Sequence, residues 1–168
     1  SVVDRTPPQL ALIAPMAAAV LHGPIIASIN AHDALSVMGT VEVRFDGGDW
    51  SDAQVLAPGD VYQSTAQDFP DGEHAMEWRA SDAADNAAQL GPIAFAVDGS
   101  VPLINISGVA DGDVGNQTVV PVIAISDAHP RTSEATLNGQ TYISGTPIIA
   151  SGNYQLVVSA DDQADNHS

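Results

Sequence analysis

The feature that most constrains this chain is a phrase that it contains twice. Ala80-Ser81-Asp82-Ala83-Ala84-Asp85-Asn86 returns eighty residues later as Ala160-Asp161-Asp162-Gln163-Ala164-Asp165-Asn166. The register holds backwards: Gly72 falls on Gly152, His74 on Tyr154, Met76 on Leu156 and Trp78 on Val158. Six of the fifteen positions from Gly72 to Asn86 are identical in the second copy, which marks an internal repeat. The openings match as well, since Val3-Asp4 stands before Pro8 as Val97-Asp98 stands before Pro102. The repeat divides the chain into two small domains, residues 1–98 and 99–168, each able to bury a modest core. Residues 1–4 read as the tail of a preceding module, with Val2 and Val3 where a last strand would end.

Within each copy the apolar pattern is that of strands. Gln9–Ala14 is an apolar run bounded by prolines, and Ile25–Ala31 is another, closed by Asn30–Asp33. Val41-Glu42-Val43-Arg44-Phe45 alternates strictly, as a half-buried strand does. Asp46-Gly47-Gly48-Asp49 supplies turn residues that tolerate positive φ, and its counterpart in the second copy, Asn138-Gly139, is a strong hairpin signal. Val61–Thr65 reads as a further strand. From His74 to Ser81 the alternation turns Met76, Trp78 and Ala80 inward and Glu77 and Arg79 outward, and Pro92–Val97 closes the first unit. The second unit repeats the order through Leu103–Ile106, Thr118–Ser126, the hairpin, Thr146–Ala150 and Tyr154–Ala160. No long segment has a period of about 3.6 residues, so no core helix is expected, and Met16–Leu21 is the place for a short helical turn. After Asn86 the chain continues into a closing strand, whereas His167 and Ser168 alone follow Asn166. The second unit is therefore expected to lack its last strand, through truncation or because another chain supplies it.

Charge narrows the range of partners. Four arginines and no lysine face 21 acidic residues, giving a net charge of −17. Nucleic acid and anionic membrane surfaces both demand cationic surface, so neither is an expected partner. No apolar run is long enough to span a membrane, and nothing reads as a signal peptide. The acidity suits a saline medium, a surface selected for solubility, or divalent cations. Cysteine is absent, which removes disulfides, thiol catalysis and thiolate metal sites and favours a prokaryotic source.

Regularly spaced short strands in two units predict an all-β chain of tandem sandwiches. The Val-Asp-x-x-x-Pro openings, the Asp/Asn-Gly hairpins and the Gly-x-[His/Tyr]-x-x-x-x-x-Ala-x-Asp-x-Ala-Asp-Asn ending resemble bacterial immunoglobulin-like (Big-type) repeats of large secreted and cell-surface proteins. The resemblance covers nearly the whole chain. It implies two tandem immunoglobulin-like β-sandwiches, extracellular localisation, and a non-catalytic spacer or stalk role that carries an adhesive or catalytic domain. Those relatives usually have Gly where Asp85 and Asp165 stand. The partners implied are neighbouring domains of the same polypeptide, with a protein or glycan ligand as an alternative.

The candidate chemistry is metal binding and not catalysis. No nucleophile elbow, zinc-protease helix motif, phosphate loop or dinucleotide fingerprint occurs. In a sandwich of this topology the closing turn, the first strand's entry and the loop after the second strand share a pole. That gathers Asp98, Asp127, Asp162 and Asp165 at the junction between domains, with Asp71 and Glu73 (and Asp68) approaching from the first unit. Ca²⁺, which takes about six to eight oxygens, suits such a set, whereas solvated turn-capping carboxylates are the alternative. Asp82 is expected to cap its own turn, with Asn86 at positive φ. Tyr154 resembles an inward-looking tyrosine corner whose hydroxyl bonds backbone, and His74 takes its place in the first unit. Trp50 and Tyr142 follow equivalent turns and read as cross-strand packing residues, with an exposed sugar-binding platform as the alternative. Asp111-Gly112-Asp113 opens like a calcium loop but lacks the later ligands, and reads as a turn.

Overall fold

The alternation around Trp78 marks the strand on which the first unit is built. In the computed structural model, which describes residues 3–56 and 59–168, Met76, Trp78 and Ala80 are buried. Glu77 and Arg79, on the opposite face, pair with Arg44 and Glu42. This is the period-two logic of a strand sealed on one side. The described residues form strands and turns, with no helix among them. None is therefore long and apolar enough to cross a membrane as a helix, a statement that does not bear on β-barrels. The chain divides into two compact units, Ser1–Asp98 and Gly99–Ser168. Val2 lies outside the described residues, and Val3 is exposed and outside any strand.

The first unit contains β1 (Gln9–Ala14), β2 (Val20–Leu21), β3 (Ser28–His32), β4 (Met38–Phe45), β5 (Ser51–Asp52), β6 (Gln54–Leu56), β7 (Val61–Gln63), β8 (Gly72–Asp82) and β9 (Ala87–Val97). They form two sheets, ordered β1-β3-β7-β6 and β2-β9-β8-β4-β5. Their inner faces enclose Ile25, Ile29, Val41, Val43, Met76, Trp78 and Phe95, with Leu10, Leu12, Phe45 and Phe69 packed around them. Phe45, Phe69 and Phe95 meet edge-on at centroid distances of 5.1 to 6.3 Å. Each large side chain buried here contributes roughly 1.5–3 kcal/mol relative to exposure.

Met16–Leu21 is not helical. Ala18 bonds the carbonyl of Ala94, and Ala96 bonds that of Ala19, so this stretch joins the sheet edge as β2, parallel to β9. Long-range backbone pairing overrides the local alanine preference.

The second unit contains β10 (Leu103–Ser107), β11 (Val122–Ser126), β12 (Pro130–Leu137), β13 (Gln140–Thr141) and β14 (Leu156–Asp162), in sheets β10-β11 and β13-β12-β14. Asn138-Gly139 makes the β12–β13 turn with φ of 50° and 77°, as Asp46-Gly47 does after β4 with 52° and 69°. The stretches 118–121 and 146–150 pair only as a bridge between Val119 and Ile148, and Tyr154 precedes β14 instead of lying within a strand. Leu103, Ile106, Val122 and Val157 are each at least 40% exposed. The second unit is thus a thinner, more open sandwich than the first.

Candidate metal centres

Each closing turn is knotted around a buried carboxylate. Asp82 Oδ1 accepts the backbone N–H of Ala84 at 2.8 Å and of Asn86 at 2.9 Å, and its Oδ2 accepts the Asn86 side-chain amide at 2.8 Å. Asp162 repeats this with the Asn166 backbone at 2.8 Å and the Asn166 side chain at 2.7 Å. Burial pushes both carboxyls up, but the bonds from Asn86 and Ala84, and from Asn166 and Ala164, outweigh it and hold both below the usual carboxylate value. The residues at positive φ are Asp85 and Asp165, at 63° and 66°, and not the asparagines. The asparagine is occupied instead as the carboxylate's donor.

Two further aspartates approach each knot. Oxygens of Asp4, Asp33 and Asp82 lie within 4.8 Å of one another, and so do those of Asp98, Asp127 and Asp162. The second aspartate follows the first by 29 residues in both triads. The shared topology explains the match: one aspartate precedes the first strand, one follows the strand beside it, and one ends the strand before the closing turn. Asp33 Oδ1 accepts Leu35 and Ser36 N–H at 2.8 and 2.9 Å, and these bonds hold its carboxyl below the usual value against burial and the repulsion of Asp82. Asp4 Oδ1 accepts Thr6 N–H, whereas its Oδ2 is buried without a hydrogen-bond partner. Asp127 Oδ1 accepts His129 N–H. Both sets are all-oxygen donors, the hard ligands that Ca²⁺ and Mg²⁺ take. An orphaned carboxylate oxygen in the first triad fits a cation better than it fits a closed hydrogen-bond network.

Of the expected junction set, the structure brings together Asp98, Asp127 and Asp162. Asp165 is exposed and pairs with Arg131, because its left-handed backbone sits at the solvent side of the knot. Asp71 and Glu73 are exposed and belong to neither triad. The signal of the first triad in the sequence is the 29-residue spacing of Asp4 and Asp33, shared by Asp98 and Asp127. Asp111-Gly112-Asp113 is a turn in which Asp113 accepts the N–H of Ala110.

The two aromatic candidates are packed against neighbours. Tyr142 is 8% exposed, and its hydroxyl donates toward the carbonyls of Pro121 and Thr146 at 2.9 and 2.8 Å. Trp50 is half-buried, with the guanidiniums of Arg44 and Arg79 over its ring at 4.6 and 4.5 Å. Tyr154 bonds the carbonyl of Ala150, four residues upstream, as a tyrosine corner would, but it is 42% exposed and does not look inward. His74 bonds the Pro70 carbonyl at the same offset, and its other ring nitrogen meets Asp46 at 2.8 Å.

Among solved structures, the chain is similar to the fibronectin(III)-like modules of CbhA from Clostridium thermocellum. The TM-score is 0.53 and the identity 17%, over 95% of this chain and 89% of that one. The likeness is one of fold, an immunoglobulin-like β-sandwich architecture. Part of the chain also matches an endo-β-1,4-mannanase from Thermotoga petrophila, with a TM-score of 0.45 and 16% identity over 58% of this chain and 21% of that one, too loose a likeness to carry an argument. No protein-family model and no curated protein matches the sequence.

Proposed function

We propose that the chain is a non-catalytic structural segment of a larger extracellular bacterial protein, and that each aspartate triad holds one Ca²⁺ ion. The observation that carries this reading is the duplicated triad, in which three carboxylates of like charge converge at equivalent places in two copies of one motif. A divalent cation removes that repulsion and ties the start of each repeat to its closing turn, which stiffens the segment. The net charge of −17 and the oxygen-only donors point the same way. The likeness to fibronectin(III)-like modules supports a modular, accessory role. A stiffened segment of this kind suits a stalk that carries an adhesive or catalytic domain, so its partners are the neighbouring domains of its own polypeptide. A glycan-binding role loses its support with Tyr142 buried and Trp50 covered by arginines.

Thermal denaturation in Ca²⁺ and in chelator tests the calcium reading. At free Ca²⁺ about a hundredfold above Kd, one site stabilises by about 2.7 kcal/mol. In a unit of this size that raises Tm on the order of 10 °C. Equal midpoints in the two conditions would remove calcium from the reading. Release of sugars from a polysaccharide by the purified chain would overturn the non-catalytic role.

A further inference from the structure

His74 and Tyr154 stand at the same place in the two repeats, and each fastens the corner before it by bonding the carbonyl four residues upstream. The two bonds differ in what they require. The Tyr154 hydroxyl donates to the Ala150 carbonyl as a neutral group. The His74 ring is held at both nitrogens: Nε2 meets the Pro70 carbonyl at 2.9 Å, and Nδ1 meets Asp46 Oδ2 at 2.8 Å. A backbone carbonyl only accepts, and so does an ionised carboxylate. Asp46 is ionised, because the bonds from the Ala75 N–H and from His74 outweigh burial and hold its carboxyl below the usual value. A neutral imidazole has a single donor, so in either tautomer one ring nitrogen turns a lone pair toward an oxygen. Only the imidazolium satisfies both contacts.

The corner is packed around that ring. The His74 side chain is 9% exposed and lies against Phe69 and Phe95, at centroid distances of 4.8 and 5.7 Å. Phe69 belongs to the loop that carries Pro70, and it meets Phe45 and Phe95 edge-on. The same loop is fastened at its start by the bridge between Ile25 and Gln67, with bonds of 2.8 and 2.9 Å in the two directions. The charged residues of the segments that meet the ring are all acids: Asp46 and Asp49 in the turn after β4, Asp68 and Asp71 in the loop, and Glu73 on β8. Arg44 and Arg79 lie on the outward face of the sheet, engaged by Glu77 and Glu42.

We propose that His74 is a proton-operated latch for the corner between β7 and β8: its imidazolium ties the Pro70 carbonyl to Asp46, and loss of the ring proton releases the loop and uncovers Phe69. Burial opposes the charge, but the Pro70 carbonyl, Asp46 and Glu73 outweigh it and raise the ring above its ordinary 6.5. The corner is therefore closed below that value and opens as pH rises through the folded value. The matching corner of the second unit, held by a hydroxyl, stays closed over the same range. One proton thus sets the stiffness of one repeat without acting on the other.

The test follows amide hydrogen exchange and the ring N–H protons by NMR in the full 168-residue chain, on both sides of the His74 titration midpoint. Protection factors are compared, since they remove the intrinsic pH dependence of exchange. On the acid side both His74 ring N–H protons should exchange with water more slowly than those of the exposed His22. On the alkaline side the Ile25 and Gln67 amides should lose protection by at least about tenfold, the scale of one hydrogen bond to a charged group. Val119 and Ile148, which form the matching bridge in the second unit, should be unchanged. His74→Tyr gives the first unit the residue of the second, and in it the change at Ile25 and Gln67 should vanish. Ring protons that exchange as freely as those of His22 would overturn the proposal, as would constant protection at Ile25 and Gln67 or an equal loss in both units. So would a pH dependence that survives in His74→Tyr. All but the last are read on the unaltered protein, so a variant that fails to fold does not blunt the test.

Discussion

Truncating Asn86 to alanine removes one hydrogen bond, and the structure fixes how much that bond should matter. The Asn86 amide donates to Asp82 Oδ2 at 2.8 Å, and the residue that carries that oxygen is only 1% exposed. The two backbone donors to Oδ1 and the Ser36 hydroxyl remain, so the carboxylate stays ionised with one donor fewer. A hydrogen bond to a charged group contributes about 1.5–3 kcal/mol, and little water can reach this one to replace it. In a unit of about 100 residues each kcal/mol moves Tm by roughly 4–8 °C, so a loss near 2 kcal/mol lowers it by roughly 8–16 °C. Intrinsic fluorescence isolates the effect, because Trp50 and Trp78 both lie in the first unit. The pH dependence has a definite sign. Asp82 is held below its ordinary value of 3.8, so its contribution is complete above that value and is lost as pH falls through the lower folded value. Without the Asn86 donor the folded value rises, and the acid limb of unfolding moves to higher pH. A fall in Tm under about 2 °C, or an unmoved acid limb, would refute the knot as the element that holds this turn.

Other perturbations read other parts of the structure. Burial disfavours charge on His74, but the Pro70 carbonyl and Asp46, with Glu73 nearby, raise it above its ordinary 6.5. Its stabilisation is therefore full below that value and lost as pH rises through the folded value. An NMR titration of the His74 ring should give a midpoint above 6.5, and a midpoint below it would contradict the pairing. Asp85→Gly relieves a left-handed backbone that an L-residue adopts at a cost of about 1 kcal/mol, so urea denaturation should show a gain of up to that size. A loss would mean that the Asp85 side chain holds the turn. Trp50→Ala frees two guanidiniums, each cation–π contact being worth about 0.5–1 kcal/mol at an exposed site, so a loss of about 1–2 kcal/mol is expected in denaturant titration. An unchanged midpoint would mean that the stack is not stabilising.

Alternation made the fold legible where one face of a strand is sealed. The period alone turns Met76, Trp78 and Ala80 inward, and β1 falls on the apolar run between prolines. Features that depend on pairing between distant segments were not legible. The β2 edge requires β9, Tyr142 is buried because carbonyls of Pro121 and Thr146 lie within reach, and Trp50 is covered by arginines from two strands brought into register. The site was half legible. Topology places Asp98, Asp127 and Asp162 at one pole, whereas only its position in the motif points to Asp165. Its positive φ and its pairing with Arg131 carry it away from the cluster. The triad of Asp4, Asp33 and Asp82 was hidden because its members lie in segments of unlike appearance, and only the matched spacing of the first two betrays them.

The most direct test of the calcium-holding structural role is the stoichiometry of Ca²⁺ binding by isothermal titration of the 168-residue chain. Two ions per chain are expected, falling to one in Asp33→Asn and to one in Asp127→Asn, each change removing one carboxylate charge from one triad. No heat of binding at millimolar Ca²⁺, or a stoichiometry of two that survives both substitutions together, would contradict it.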